Sequence, residues 1–242
     1  MDTNDCNNHH LVKVDPILSY TRLEDIIPEL EGHRTRVIYD SAIVKDLIVL
    51  QYLIPYFSKT KDVYIILYSE AFYYKFKKYV CSLIEKLPEL KKSFERLKVI
   101  KIGLKEECTF GELVGFVKQG NSDDEFNGLI KNLENVNDGD VLILYGSVAY
   151  YLTSIGRKAF KRLIDMFSML PEGLTLFGFR SSILSSPEIS LIGDLYDVVI
   201  YVRKDEQSFD DTTFYFKIEC PLKNCNKYGK LRIKDGLLES II

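Results

Sequence analysis

The sequence predicts a three-layer α/β fold: a mostly parallel central sheet, helices on both faces, and antiparallel strands at the C-terminal end. Three observations predict it. Five runs rich in β-branched and aromatic residues, at 34–40, 62–68, 97–102, 140–145 and 173–179, alternate with stretches of helical spacing. These runs are apolar at successive positions, which suits strands covered on both faces. The tail then changes period and reads as strands separated by Gly229 and Gly236.

Taken in order, residues 1–15 read as a flexible N-terminal arm and 16–242 as a single domain. Residues 22–31 place Leu23, Ile26, Ile27 and Leu30 on one side of a short helix. After the first strand, Ser41 is the expected N-cap of a helix over 42–57. That helix is apolar nearly all round, as a sandwiched helix is. The second strand leads into helix over 70–97, broken at Pro88. The third strand ends at Gly103, and helices are expected over 109–119 and 124–136 around the turn GNSDD. A helix over 147–169 follows the fourth strand, and a short one near 187–195 leads to a strand at 197–202. TTFYFKIE, KLRIKD and LLESII then form hairpins.

The chain of 242 residues is long enough to bury a core without disulfides or metal. Its net charge of −3 offers no global attraction to nucleic acid or an acidic membrane. Cys6, Cys81, Cys108, Cys220 and Cys225 are odd in number, with no CxxC among them. They suit a reducing compartment, with Cys81 as a small core residue. The N-terminus is polar, and no apolar run reaches the ~18 residues of a membrane span. A cytoplasmic protein is expected.

The order of elements resembles the core of RecA/KaiC-type ATPases over about residues 20–240, with eroded motifs. LEDIIPELEG looks like the family's opening Leu-Asp-x-x-Leu-x-Gly-Gly element. The Walker A window, Gly-x-x-x-x-Gly-Lys-Ser/Thr, is here Tyr39-Asp40-Ser41-Ala42-Ile43-Val44-Lys45-Asp46. Only Lys45 matches. A phosphate loop needs glycines at positive φ, which Ile43 and Val44 resist. Asp46 puts a carboxylate where a magnesium-binding hydroxyl belongs. Lys45 itself reads as a solvated helix lysine. In YIILYSEAF, Ser69 replaces the first of the family's two glutamates and Glu70 matches the second. Tyr145 stands at the Walker B aspartate, with Ser147 nearby. Together these departures describe a degenerate P-loop and imply no nucleotide or metal cofactor. The chain is similar also to a group of archaeal proteins with such a core, which offers no activity to carry over.

Lys75, Lys77 and Lys78 follow an aromatic cluster, a pattern that can track single-stranded nucleic acid. Helical spacing supplies the plainer account, with aromatics inside and lysines in water. Arg157, Lys158, Lys161 and Arg162 read as a solvated helix face, and Asn121–Glu125 as a helix cap with first-turn acids. The scattered cysteines and histidines imply no metal site. All three histidines lie within the first 33 residues, so no Ser-His-Asp or Cys-His catalysis is expected.

Three functions stand open. The first is a non-hydrolysing assembly or regulatory subunit, and the resemblance then implies a protein partner or homo-oligomer. The second is a ligand- or nucleotide-binding protein, or atypical enzyme, using Lys45, Glu70, Ser147 and Arg180 at the strand-end crevice. The third is an accessory nucleic-acid binder related to recombinase paralogues. The chain is expected not to be an enzyme. A crevice plugged by Tyr39, Tyr68 and Tyr145 favours the first function.

Overall fold

The computed structural model describes residues 20–146, 158–180, 195–208, 210–220 and 225–241. Ten strands form one sheet in the order β10-β9-β8-β7-β1-β6-β5-β2-β3-β4. The expected parallel strands are all present: β1 (Arg34–Tyr39), β2 (Val63–Leu67), β3 (Lys98–Gly103), β5 (Val141–Tyr145) and β6 (Leu174–Arg180). They pair in parallel as β1·β6, β6·β5, β5·β2 and β2·β3. β7 (Val198–Lys204) joins β1 in parallel. β8 (Thr213–Cys220), β9 (Cys225–Lys234) and β10 (Leu237–Ile241) continue that edge antiparallel.

Each face of the sheet has its own core. One packs α1 (Leu23–Ile26), α2 (Ala42–Leu47), a π-helical stretch (Ile48–Leu53), α3 (Ile54–Phe57) and α4 (Glu70–Lys86) against β1, β2, β5 and the tail strands. The other packs α6 (Ser122–Leu133) and α7 (Lys158–Met169) against β2, β3 and β5. The 42–57 segment is sandwiched as its composition demands. Val44, Ile48, Leu50, Leu53 and Ile54 are buried, each contributing roughly 1.5–3 kcal/mol. Its π-helical stretch turns Gln51 onto the amide and carbonyl of Leu238, where the Tyr52 hydroxyl also donates. That occupies the free edge of β10. Pro88 breaks the long helix as expected, into α4, a 3₁₀ turn and α5 (Lys91–Glu95). Among the described residues no helix is long and apolar enough to cross a membrane.

Four expectations are corrected. Residues 109–119 are not a helix: Glu112–Lys118 is edge strand β4, parallel to β3. Gly111 sits at φ +67, where a Cβ would lie 2.3 Å from the Leu97 carbonyl oxygen. That tight turn feeds β-branched and aromatic residues into a ladder instead. Gly229 is no turn but lies inside β9, where its missing Cβ makes room for the Phe216 ring. The hairpin turn is Asp235-Gly236, both at positive φ. Cys81 is exposed, because the buried stripe of α4 runs through Tyr73, Phe76, Val80 and Leu83 and passes it by. Ser41 holds the N-cap position with extended backbone, yet its side chain makes no capping bond. The N-terminal arm, the 147–157 part of one expected helix and most of the 187–195 helix lie outside the described residues.

Candidate functional site

The C-terminal ends of the parallel strands are where open α/β sheets place ligands. β1 ends at Tyr39, Ser41 is extended (φ −107, ψ 118), and α2 starts at Ala42. Among the described residues, Asp235 is the one non-glycine at positive φ. The chain therefore runs from strand to helix without the wide loop that wraps an anion. Val44 is fully buried, while Ile43 keeps 39% exposure.

Lys45 is not solvated. It keeps 8% of its exposure and Asp46 keeps 1%. α2 packs against β1 and β10, and every residue from Val44 to Leu47 is buried, which leaves Ile43 as the exposed side of the helix. The Lys45 ammonium pairs with Asp46 Oδ1, and Lys75 from α4 reaches Oδ2 at 3.0 Å. The same ammonium lies 4.2 Å from the Tyr145 ring centroid and 5.6 Å from that of Tyr39. Burial lowers the Lys45 pKa, against the pull of Asp46. Burial likewise raises that of Tyr145, and the Asp46 carboxylate beside it adds to the rise. The Tyr145 ring packs edge-on against Phe76 at 5.2 Å.

Glu70 opens α4, where Ser69 caps the helix by accepting from the Phe72 amide. Its carboxylate does not face an open crevice. Oε1 receives the ammonium of fully buried Lys101 at 3.1 Å, and Oε2 accepts from the Leu104 amide at 2.8 Å. Lys101 donates also to the carbonyls of Lys105 (2.9 Å) and Glu107 (3.2 Å), beneath the Tyr73 ring at 3.9 Å. Burial opposes the charge on Glu70, but these bonds outweigh it and hold the pKa below the usual value. This cluster pins residues 104–111, a helix-free crossover between parallel strands β3 and β4.

The four crevice residues are thus dispersed. Lys45 and Glu70 belong to separate charge clusters, and Ser147 lies outside the described residues. Arg180 is the last residue of β6, in register with Tyr39. Of the basic trio, Lys75 turns inward to Asp46, Lys77 is half-buried and Lys78 is exposed. Lys98 pairs with Asp62, so the basic residues of 75–105 serve several different partners. Arg162 binds the Ser122 carbonyl and Asp123, tying α7 to the start of α6. Asn121 caps α6 as expected. Tyr145 and Tyr68 are buried, Tyr68 on the opposite face with its hydroxyl 3.5 Å from Met166 Sδ. Lys101 escaped sequence reading. Its signal was a lysine inside an apolar strand, which requires a buried oxygen partner.

No protein-family model and no curated protein matches this chain. Among solved structures it is similar to a KaiC-like protein from the hyperthermophilic archaeon Pyrococcus horikoshii. The TM-score is 0.58 at 12% identity, covering 88% of this chain and 91% of that one. A second Pyrococcus horikoshii protein aligns at TM-score 0.47 and 13% identity, covering 70% of this chain and 81% of that one. The first likeness extends to the fold: the chain has a KaiC-like, RecA-type α/β architecture with antiparallel C-terminal strands.

Proposed function

We propose that this chain is a catalytically degenerate RecA/KaiC-like protein, a non-hydrolysing assembly or regulatory subunit that works through contacts with other protein chains. The observation that carries the reading is the buried cluster of Lys45, Asp46 and Lys75 against Tyr145. The fold implies a nucleoside triphosphate with magnesium at this end of the sheet. The residues present do not fit that pair. The lysine that would meet phosphate is neutralised by Asp46, whose own charge would repel a phosphate. A phenol stands where a metal-binding carboxylate is needed, and the entry to α2 leaves its amides in helix rather than around an anion. A core of this shape without the hydrolytic parts retains its surfaces, and surfaces are what a subunit uses.

Calorimetry with ATP and magnesium, together with a steady-state hydrolysis assay, tests the reading. No heat of binding and no turnover are expected. Turnover at ~1 s⁻¹ or faster, abolished in Lys45→Ala, would overturn it. Replacing Ile43 and Val44 by glycine is expected to lower the melting temperature without creating ATP binding, with most of the loss from buried Val44. Light scattering across a concentration series reads the assembly state, and a strict monomer that captures no protein partner would remove the subunit role.

A further inference from the structure

Among the described residues of the C-terminal strands, the buried apolar side chains lie mostly on one face, with Val199 and Thr213 buried on the other. On β7, β8 and β9 the residues turned toward α1–α4 form the core, among them Val202, Phe216 and Leu231. The alternate residues face the other way. Among the described residues, the second core cluster, which lies on that side, takes none from β7, β8, β9 or β10.

What this outer face displays follows from register. Tyr201 lies opposite Lys217, and Lys217 opposite Tyr228. Two residues along, Arg203 lies opposite Tyr215, and Tyr215 opposite Lys230. Rings and cations therefore alternate both along and across the strands. With strands about 4.8 Å apart, Tyr201 and Tyr228 stand about 10 Å from each other with a lysine between them. Tyr215 is 38% exposed, and Arg203 is exposed beside it. The Lys217 ammonium sits 5.7 Å from the Tyr228 ring centroid. Two acids answer these cations: Glu219 pairs with Lys217 at 2.5 Å, and Asp205 with Lys230 at 3.1 Å. The Lys217–Glu219 pair is partly solvated on both sides and therefore weak, whereas Lys230 reaches out from a buried Asp205.

We infer that this sheet face binds a single-stranded nucleic acid, bases stacking on the tyrosines and phosphates meeting Arg203, Lys217 and Lys230. The chemistry favours that occupant over other anions. An acidic peptide would satisfy the cations but leave three flat rings without planar partners. A second copy would set like charges against each other. An unstacked strand offers both a π-face and a negative charge at every nucleotide. On this face Arg203, Lys217 and Lys230 stand against Glu219 and Asp205, a margin of one positive charge in a chain whose net charge is −3. The inference does not depend on the subunit reading.

The test uses the full chain and labelled oligothymidylate and oligouridylate in a fluorescence-anisotropy titration at two salt concentrations. Tyrosine emission is a second readout, because the chain has no tryptophan. Expected is binding that quenches tyrosine emission and weakens about tenfold or more in Tyr215→Ala/Tyr228→Ala. The Tyr→Phe pair keeps the affinity. Lys217→Gln weakens all oligonucleotides alike and reduces the salt slope by about one. Circular dichroism confirms that each variant is folded, and Lys217→Gln carries the test if the alanine pair is not. Absence of binding at low salt would overturn the inference. So would binding unaffected by the ring substitutions with polyphosphate competing equally, which is an electrostatic patch. Polyglutamate binding as tightly as the oligonucleotides would replace nucleic acid by an acidic protein.

Discussion

Lys45 and Lys101 are both buried near the ends of parallel strands, and the protein treats them differently. Lys101 has one oxygen for each of its three N–H groups: a Glu70 carboxylate oxygen and two backbone carbonyls. Lys45 has a single carboxylate, which it shares with Lys75, and the remainder of its surroundings is aromatic. The difference teaches what sets the cost of a buried cation. It is the supply of oxygen around the charge rather than the depth. A fully supplied ammonium acts as a structural pin for the 104–111 crossover. An under-supplied one is held at a raised free energy, which is why burial lowers its pKa despite the adjacent Asp46.

Removing Asp46 should break this comparison most severely. Asp46→Asn leaves two ammonium groups facing each other, one of them buried, and should cost about 3–5 kcal/mol in a urea titration. Adding Lys45→Met should recover part of that loss. If Asp46→Asn melts like the parent protein, Asp46 does not balance the two lysines.

Lys101→Met should cost about 1–3 kcal/mol, since it orphans two carbonyls but leaves Glu70 its Leu104 amide. Its pH dependence is the sharper readout. The folded pKa of Glu70 lies below the ordinary carboxylate value, so its contribution is complete above that value. It is lost as pH falls through the folded pKa. Lys101→Met should flatten this acid-side loss relative to the parent, which melting curves from neutral pH down to ~3 would show. Equal slopes in the two proteins would mean that Glu70 draws nothing from Lys101.

The smallest effect is expected at Lys75, whose side chain is 39% exposed. Lys75→Met should change stability by about 1 kcal/mol or less. A loss as large as that of Asp46→Asn would show that Lys75, not Lys45, is the principal partner of Asp46.

Much of this was legible in the residues. The strands at 34–39, 62–68, 97–102, 140–145 and 173–179 are contiguous apolar runs, and a strand buried on both faces has no other way to be written. The direct entry into α2 at Ala42 was readable from Ile43 and Val44, because β-branching restricts the local backbone directly. The 112–118 strand was missed because a glycine turn and an edge ladder, not periodicity, decide it. Lys45 was misread for a related reason. Position in a helix says which residues share a face, but not what covers that face.

The sequence by itself determined the class of fold, the entry of α2 straight from β1, and the antiparallel tail. Each follows from local backbone preference and from which residues avoid water. Only the tertiary structure decided that Lys45, Asp46 and Lys75 share one site, and that Glu70 is consumed by Lys101. It alone aligned Tyr201, Lys217 and Tyr228 across three strands. Those facts depend on pairings between residues far apart in the chain. Electrostatic and stacking energies depend on distance in space, which only the closed sheet and its packed helices establish.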